Sequence, residues 1–437
     1  MIQRTDPAGG LRGQSVHRIR SSTSHRPKGT PPRLKGSGSV HPVRVAVAVW
    51  FAAAVVAVAQ SVAALTRARH DRLADLDVYV EAVTGLRQGT SLYDYAAAST
   101  GAPFTYPPLS GLLFVPLTLI DIDVLRVIWT AATVALVALL AVIVSRADGA
   151  HRLLPRQVAP AAIALLLFAS APVSSNLRFG QVSVILTLLV LVDCLGRAPR
   201  RLAGVATGLA AAIKLTPLIF IPYLWLAGER RAAVTATGTF LAGTGLAWLI
   251  LPGESARFWL TEMWDVDRVG NIVTAGNQSI NGALLRLGAP DDARTLVLFT
   301  AGLAVVTIAL VRGAVAYRDG DRLAGVVIVG AAGLAFSPVS WTHHQTWLVL
   351  AALLVVSGRR GRALAWTGLV AATMILPVMS MGDGLPSADL TDNVRVLLAL
   401  VVACLVPTVG ARPGSGLPGR AEVPNLTARR FRTTAWR

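Results

Sequence analysis

The chain has 437 residues, of which 54% are hydrophobic and only 15% charged, and its mean hydropathy is +0.58. Soluble domains carry about 25% charged residues, so this composition, with its long apolar runs, excludes a soluble enzyme, a disordered protein and a nucleic-acid-binding domain. A formal charge of +18 is concentrated at the ends, with +7 from residues 1–42 and +5 from residues 411–437, which leaves a core with the character of a polytopic membrane protein.

Both tails are basic and rich in Pro, Gly, Ser and Thr. They are expected to be disordered and cytoplasmic, with no nucleic-acid partner. The first apolar run, from Val45 to Leu65, follows the basic tail and reads as a signal anchor. The basic connectors Arg146–Arg156, Arg197–Arg201, Glu229–Arg231, Arg312–Arg322 and Arg359–Arg362 are placed inside by their charge. That predicts spans at 45–65, 124–145, 157–173, 181–196, 202–215, 217–228, 232–251, 294–312, 323–338, 344–357, 363–380 and 393–410. The even number, about twelve, puts both termini in the cytoplasm and residues 43–410 in the membrane core. The Leu109–Ile120 run is short and proline-interrupted, and is read as re-entrant or interfacial. The stretch 202–228 is short for two spans and carries Lys214 and Pro217 at its middle, which predicts a broken helical pair. Cys194 and Cys404 lie in apolar runs, so neither a disulfide framework nor a zinc site is expected.

The loops assigned to the outer face, 66–107, 252–293 and 381–392, are long, polar and aromatic, whereas the inner ones are short and basic. Chemistry is therefore expected outside. Asp75-Leu76-Asp77-Val78-Tyr79 places two carboxylates near the lipid boundary, where desolvation makes a carboxylate a usable base toward a hydroxyl. Phe104-Thr105-Tyr106-Pro107-Pro108 offers aromatics for a sugar face or an interfacial belt. Asn176-Leu177-Arg178-Phe179-Gly180-Gln181 and Lys214-Leu215-Thr216-Pro217 supply cations, Arg178 and Lys214, suited to a phosphate at the bilayer surface. Gly276-Asn277-Gln278-Ser279 lies near Trp259, Trp264, Asp265 and Arg268, a mixture suited to carbohydrate. Ser337-Pro338-Val339-Ser340-Trp341-Thr342-His343-His344-Gln345 ends in paired histidines that can shuttle protons or contact phosphate. Adjacent histidines point apart on a helix, and HExxH, CxxC, Walker A and GxSxG patterns are absent from the sequence, so no metal or cofactor is expected.

The order of these motifs, from DLDVY through G-x-x-LY, F-x-YPP, N-x-R-x-GQ, A-x-KLTP and GNQS-x-NG to SPVSWTHHQ, resembles glycosyltransferase family 87 over about Ala74 to Thr346. The resemblance implies an all-α polytopic fold of the GT-C type with an extracytoplasmic active site in the cell membrane. It implies a polyprenyl-phosphate sugar donor, most often polyprenyl-phosphomannose, and a glycolipid or lipoglycan acceptor in the bilayer. An aspartate in the first outer loop is the implied base, here Asp75 or Asp77. An inverting displacement would make an α-mannoside, with Arg178, Lys214, His343 and His344 toward the phosphate and Tyr106, Asn176, Gln181, Asn277 and Gln278 toward the sugars. The rival readings are an arabinofuranosyltransferase using polyprenyl-phosphoarabinose, a lipid-linked-sugar flippase or transporter, and a non-catalytic scaffold.

Overall fold

The computed structural model describes residues 41–98, 100–147, 154–356, 359–378 and 388–407. The two basic tails and most of the segment 381–392 lie outside the described residues. What is described is helical, and the strand content is confined to an isolated bridge between Ala96 and Pro103. In chain order the α-helices are α1 (Pro42–Leu65), α2 (Ala74–Arg87), α3 (Pro108–Phe114), α4 (Ile122–Ser145), α5 (Ala159–Ala169), α6 (Ala171–Phe179), α7 (Ser183–Cys194), α8 (Val205–Ile213), α9 (Phe220–Leu226) and α10 (Arg230–Ile250). They continue with α11 (Pro252–Leu260), α12 (Ile280–Arg286), α13 (Asp291–Val297), α14 (Leu303–Arg318), α15 (Arg322–Phe336), α16 (Thr346–Leu350), α17 (Arg360–Ile375), α18 (Ala388–Thr391) and α19 (Val394–Cys404).

Among the described residues, four helices are long and apolar enough to cross a bilayer: Pro42–Leu65, Ile122–Ser145, Arg230–Ile250 and the continuous Asp291–Arg318. A fifth candidate is the pair α5–α6, bent by 62°. The chain is thus a multi-pass membrane protein. Helix α1 shows how the sequence achieves this. Val47, Phe51, Val55, Val58 and Val62 recur at helical spacing on its exposed face, where an apolar solvent is needed. Ala53, Ala57 and Ala64 are buried, and α1 packs on α5; small side chains let two backbones approach in lipid, where packing drives association. Helix α15 is buried from Leu323 to Ala335 and forms the centre of the bundle against α14 and α19.

Several elements differ from the sequence reading. The 66–107 stretch, read as an irregular loop, contains α2, which packs on α3 and α6. The stretch 174–180, left between the expected spans 157–173 and 181–196, is mostly helix, because the break comes earlier, at Ser170 before Pro172. Proline at the start of α6 lacks the N–H that would continue α5, so the chain bends there. Likewise α16 covers five residues, far short of a span at 344–357. The Leu109–Ile120 run forms α3 and a 3-10 turn to Leu119. At 1.5 Å per residue, twelve residues reach about 18 Å, well short of a hydrocarbon core of about 30 Å. The helix α4 then starts at Asp121, whose carboxylate accepts from the N–H groups of Asp123 (3.0 Å) and Val124 (3.2 Å). The 202–228 stretch is broken where Lys214 leaves α8 with extended backbone, before a 3-10 turn from Thr216 leads into α9.

Candidate active site

The break at Lys214, the start of α2, the end of α6 and the turn before α16 meet around one cavity of about 1110 Å³. Helix α2 sets the geometry of its carboxylates. Asp75 and Tyr79 are four residues apart and share a face, and both line the cavity. Asp77 lies two residues from Asp75, on the far side of the helix, where it pairs with Arg126 of α4 at 2.7 Å. Arg126, itself buried, also holds Asp123 at 2.7 Å. The two aspartates that the sequence could not separate therefore have different environments. Burial raises both above the ordinary aspartate value. For Asp77 the Arg126 guanidinium opposes that rise. For Asp75 burial dominates, the Gln181 hydrogen bond and, when protonated, Lys214 oppose it, and the result is about 6.

A chain of polar contacts runs from Asp75 across the cavity wall. Gln181 Nε2 donates to Asp75 Oδ2 at 2.5 Å. Gln181 Oε1 lies 3.1 Å from the Tyr79 hydroxyl and 3.0 Å from that of Tyr106, and the two hydroxyls are 2.8 Å apart. Lys214 Nζ lies 3.5 Å from the Tyr106 hydroxyl, 4.9 Å above that ring, and 2.8 Å from His344 Nε2. His343 lines the same cavity, with 5% exposure, and neither ring nitrogen has a hydrogen-bond partner among the described residues. Its ring stands edge-on to His344, with centroids 4.5 Å apart.

One glycine permits this assembly. Gly180 ends α6 at φ +70°, and a Cβ there would sit 2.8 Å from Leu76 Cβ and 3.1 Å from Leu73 Cβ. Its absence lets the end of α6 lie against the start of α2, where Leu73 N–H donates to Arg178 O at 3.1 Å. Leu73 itself has a left-handed backbone, φ 49°, unusual for a branched side chain. The contact brings Gln181 to Asp75.

Several sequence candidates are not in the cavity wall. Arg178 points away, to Asp71 at 3.2 Å and over Phe179 at 4.8 Å. Asn176 is buried, and its Oδ1 accepts from Val184 N–H at 3.3 Å. Asn277 Oδ1 accepts from Ser340 N–H and Ser279 Oγ, both at 2.9 Å, and its Nδ2 donates to Ile272 O at 3.0 Å. Gln278 Oε1 accepts from Arg395 N–H (3.1 Å) and Val396 N–H (2.9 Å), while Nε2 donates to Ala275 O (2.7 Å) and Asp392 O (2.5 Å). These amides tie the loop before α12 to the histidine turn and to α19, a bracing duty that takes up their bonds. The motif's last glycine belongs to the same brace, since a Cβ on Gly282 would meet Asn277 O at 2.5 Å.

Sequence reasoning missed three contributors. Tyr79 was hidden because α2 was read as loop, although the spacing Asp75–Tyr79 is the helical signal. Arg126 was an ionisable group at the start of a predicted span, a signal left unused. Glu262 lines the cavity, and its side chain joins Arg257 at 2.6 Å and also pairs with Arg268. Trp264 and Asp265 also line the cavity, as do the apolar Leu218, Ile219, Pro222, Val306, Leu310 and Phe336.

Comparison with known proteins identifies the family. The family model for glycosyltransferase family 87 matches residues 104–338. A polyprenol-phosphate-mannose-dependent alpha-(1-2)-phosphatidylinositol mannoside mannosyltransferase of Mycobacterium tuberculosis is 34% identical over 385 residues, covering 81% of this chain and 89% of that protein. A polyprenol-phosphate-mannose-dependent alpha-(1-2)-phosphatidylinositol pentamannoside mannosyltransferase of Mycolicibacterium smegmatis is 35% identical, covering 69% of this chain and 74% of its own length. With more than half of its length matched and a relative aligned over most of both chains, the protein belongs to glycosyltransferase family 87.

Proposed function

We propose that this glycosyltransferase moves mannose from polyprenyl-phosphomannose to a phosphatidylinositol mannoside-type glycolipid, forming an α-mannoside with inversion. The observation that carries the reading is one cavity with a carboxylate, Asp75, and a basic corner, Lys214 with His344, set apart in its lining and accompanied by apolar side chains. Relatives of this chain bear the names of enzymes with that donor and that acceptor class. None of those names includes an arabinose donor, so the arabinosyl reading gains no support.

In the proposed mechanism the acceptor hydroxyl gives its proton to Asp75, through the oxygen not held by Gln181. The acceptor oxygen bonds to the anomeric carbon as the bond from that carbon to the phosphate oxygen breaks. Lys214 and His344 offset the charge on the departing lipid phosphate, and His343, with free ring nitrogens, adds a hydrogen bond to phosphate or sugar. Tyr106 and Trp264 offer ring faces to the sugars. The apolar lining residues accommodate the first isoprene units of the donor. On this reading the base is Asp75; Asp77, Arg178, Asn176, Asn277 and Gln278 position the elements around it.

The same proposal places the cavity on the extracytoplasmic side of the cell membrane in a GT-C-type core of about twelve crossings, residues 43–410, with both basic tails cytoplasmic. The charge asymmetry of the connectors supports it. The test of function is transfer in isolated membranes from polyprenyl-phosphomannose and, separately, from polyprenyl-phosphoarabinose to phosphatidylinositol mannosides. Mannose transfer alone is expected, with the product cleaved by an α-mannosidase. Arabinose transfer alone, or lipid-sugar movement across vesicles without transfer, would reject it.

A further inference from the structure

The hydrogens between Lys214 and His344 can be counted. His344 Nδ1 lies 3.1 Å from the backbone nitrogen of Trp341, whose N–H points at it. A backbone amide only donates, so Nδ1 presents a lone pair. A neutral imidazole then carries its hydrogen on Nε2, and Nε2 is 2.8 Å from Lys214 Nζ. An ammonium has three hydrogens and no lone pair, so it would set donor against donor at that distance. A neutral amine has the lone pair that the contact requires, and its N–H groups remain available to the Tyr106 hydroxyl. The turn from Trp341 to His344 thus selects the ring tautomer, and the tautomer selects the charge of the lysine in this geometry.

We propose that Lys214 takes up one proton from solvent when an anionic phosphodiester binds beside it, so that donor binding is proton-linked through His344. The inference rests on the phosphate reading of Lys214 given above. Once protonated, the lysine no longer accepts from Nε2–H. Ammonium and imidazole then both direct hydrogens at the phosphate, while Trp341 holds the ring in the same tautomer. The titratable and charged groups around the same cavity are Asp75 and Tyr79 from α2, Tyr93 and Tyr106 from the segment before α3, His343 beside His344, and Glu262, Asp265 and Arg268 from the segment after α11. Of these, Asp75 and the imidazole of His343, whose ring nitrogens have no partner among the described residues, are the other groups able to gain a proton near neutral pH when an anion arrives.

The test is calorimetric titration of the full chain in nanodiscs with farnesyl-phosphomannose, a phosphodiester with no titrating group near neutrality, and no acceptor. Runs at pH 7, 8 and 9 in HEPES and in Tris give the proton count from the dependence of the heat on buffer ionisation. Uptake is expected to rise with pH toward one proton, with binding weakening up to tenfold per pH unit. In His344→Gln the amide oxygen accepts from an ammonium that is already protonated, so binding is expected to weaken for the lost imidazole N–H, and what remains is expected to proceed without that uptake. Zero uptake at every pH overturns the inference, and so does uptake that grows toward low pH and survives in His344→Gln, which assigns the proton to Asp75 or His343. Lys214→Met binding as tightly as wild type, with the fold intact by circular dichroism, would instead reject the phosphate reading itself. The wild-type pH trend decides the matter even where a variant does not fold.

Discussion

Asp75→Asn gives the sharpest prediction, because a base and a structural residue should respond to it in opposite ways. The substitution keeps the shape, and the Asn oxygen can still accept from Gln181 Nε2, which now meets Asp75 at 2.5 Å. Removing a general base costs typically 10²–10⁴-fold in rate, so transfer should fall by at least a hundredfold. Stability should move the other way. Burial lifts this carboxyl from 3.8 to about 6, so the folded state binds protons more tightly than the unfolded one. Stability then declines as pH rises from about 4 to 6 and stays lower above that. Two units at about 1.4 kcal/mol each give ~3 kcal/mol; because the carboxyl also meets water in the cavity, about 1–2 kcal/mol is the expected gain for Asn at pH 7.5. Thermal unfolding in detergent should show a higher midpoint for Asp75→Asn at pH 7.5 and little difference at pH 4. Wild-type kcat/KM should have an acid limb near pH 6, down about tenfold at pH 5. An Asn variant that is both inactive and less stable at pH 7.5 would refute the reasoning, since it would make Asp75 part of the scaffold.

Asp77→Asn weakens the ion pair with buried Arg126, which keeps Asp123; a loss of about 1–3 kcal/mol is expected, with activity per folded molecule within a few fold of wild type. Activity lost at unchanged melting temperature would transfer the base to Asp77. Gly180→Ala forces a side chain into a left-handed backbone against Leu76. That should cost about 1–2 kcal/mol and lower kcat by displacing Gln181, as read by unfolding and kinetics together. Asn277→Ala removes the acceptor for Ser340 N–H and Ser279 Oγ, which predicts a loss of about 1–3 kcal/mol and a disturbed histidine turn; a raised KM at unchanged stability would mean that Asn277 touches sugar.

The parts of this site that were legible in the sequence are those where chemistry and cost coincide. Lys214 and His344 stood out because ionisable groups in apolar surroundings are expensive and rarely incidental. The two aspartates stood out for the same reason, but choosing between them needed the helix. The sequence from Ala74 to Arg87 is apolar only in part, and its periodicity is masked by the flanking polar residues, so α2 read as loop. The amide-rich motif around Asn277 misled for a different reason. Asn and Gln suit sugar hydroxyls, and they suit backbone groups of a nonhelical loop equally well. Where a long loop must be buried, its own N–H and C=O groups compete for those side chains, and around Gln278 they take all of its bonds. The spans failed where length decides. Short runs such as that of α16 have span-like composition, yet the chain turns before it could cross.

The spacing of charge along the cavity wall explains why neutral groups stand between Asp75 and Lys214. A direct ion pair would hold the carboxylate well below neutrality and make it a poor base, and it would occupy the lysine that a phosphate needs. Gln181 and the two tyrosines separate them while leaving each a hydrogen-bonded neighbour. Gln181 is then a tuning residue. Its amide donates to the ionised carboxylate, and that bond opposes the rise caused by burial. Gln181→Met removes the donor, so the protonated form gains and the acid limb of kcat/KM should move upward from about 6. A hydrogen bond to a charged group contributes about 1.5–3 kcal/mol, or one to two pH units, and cavity water would replace part of it, which leaves about one unit. Activity of the variant should therefore fall severalfold at pH 6.5 and recover most of the wild-type value at pH 8.5. An acid limb that stays in place, with activity reduced by the same factor at every pH, would mean that Gln181 positions substrate and does not set the proton affinity of Asp75.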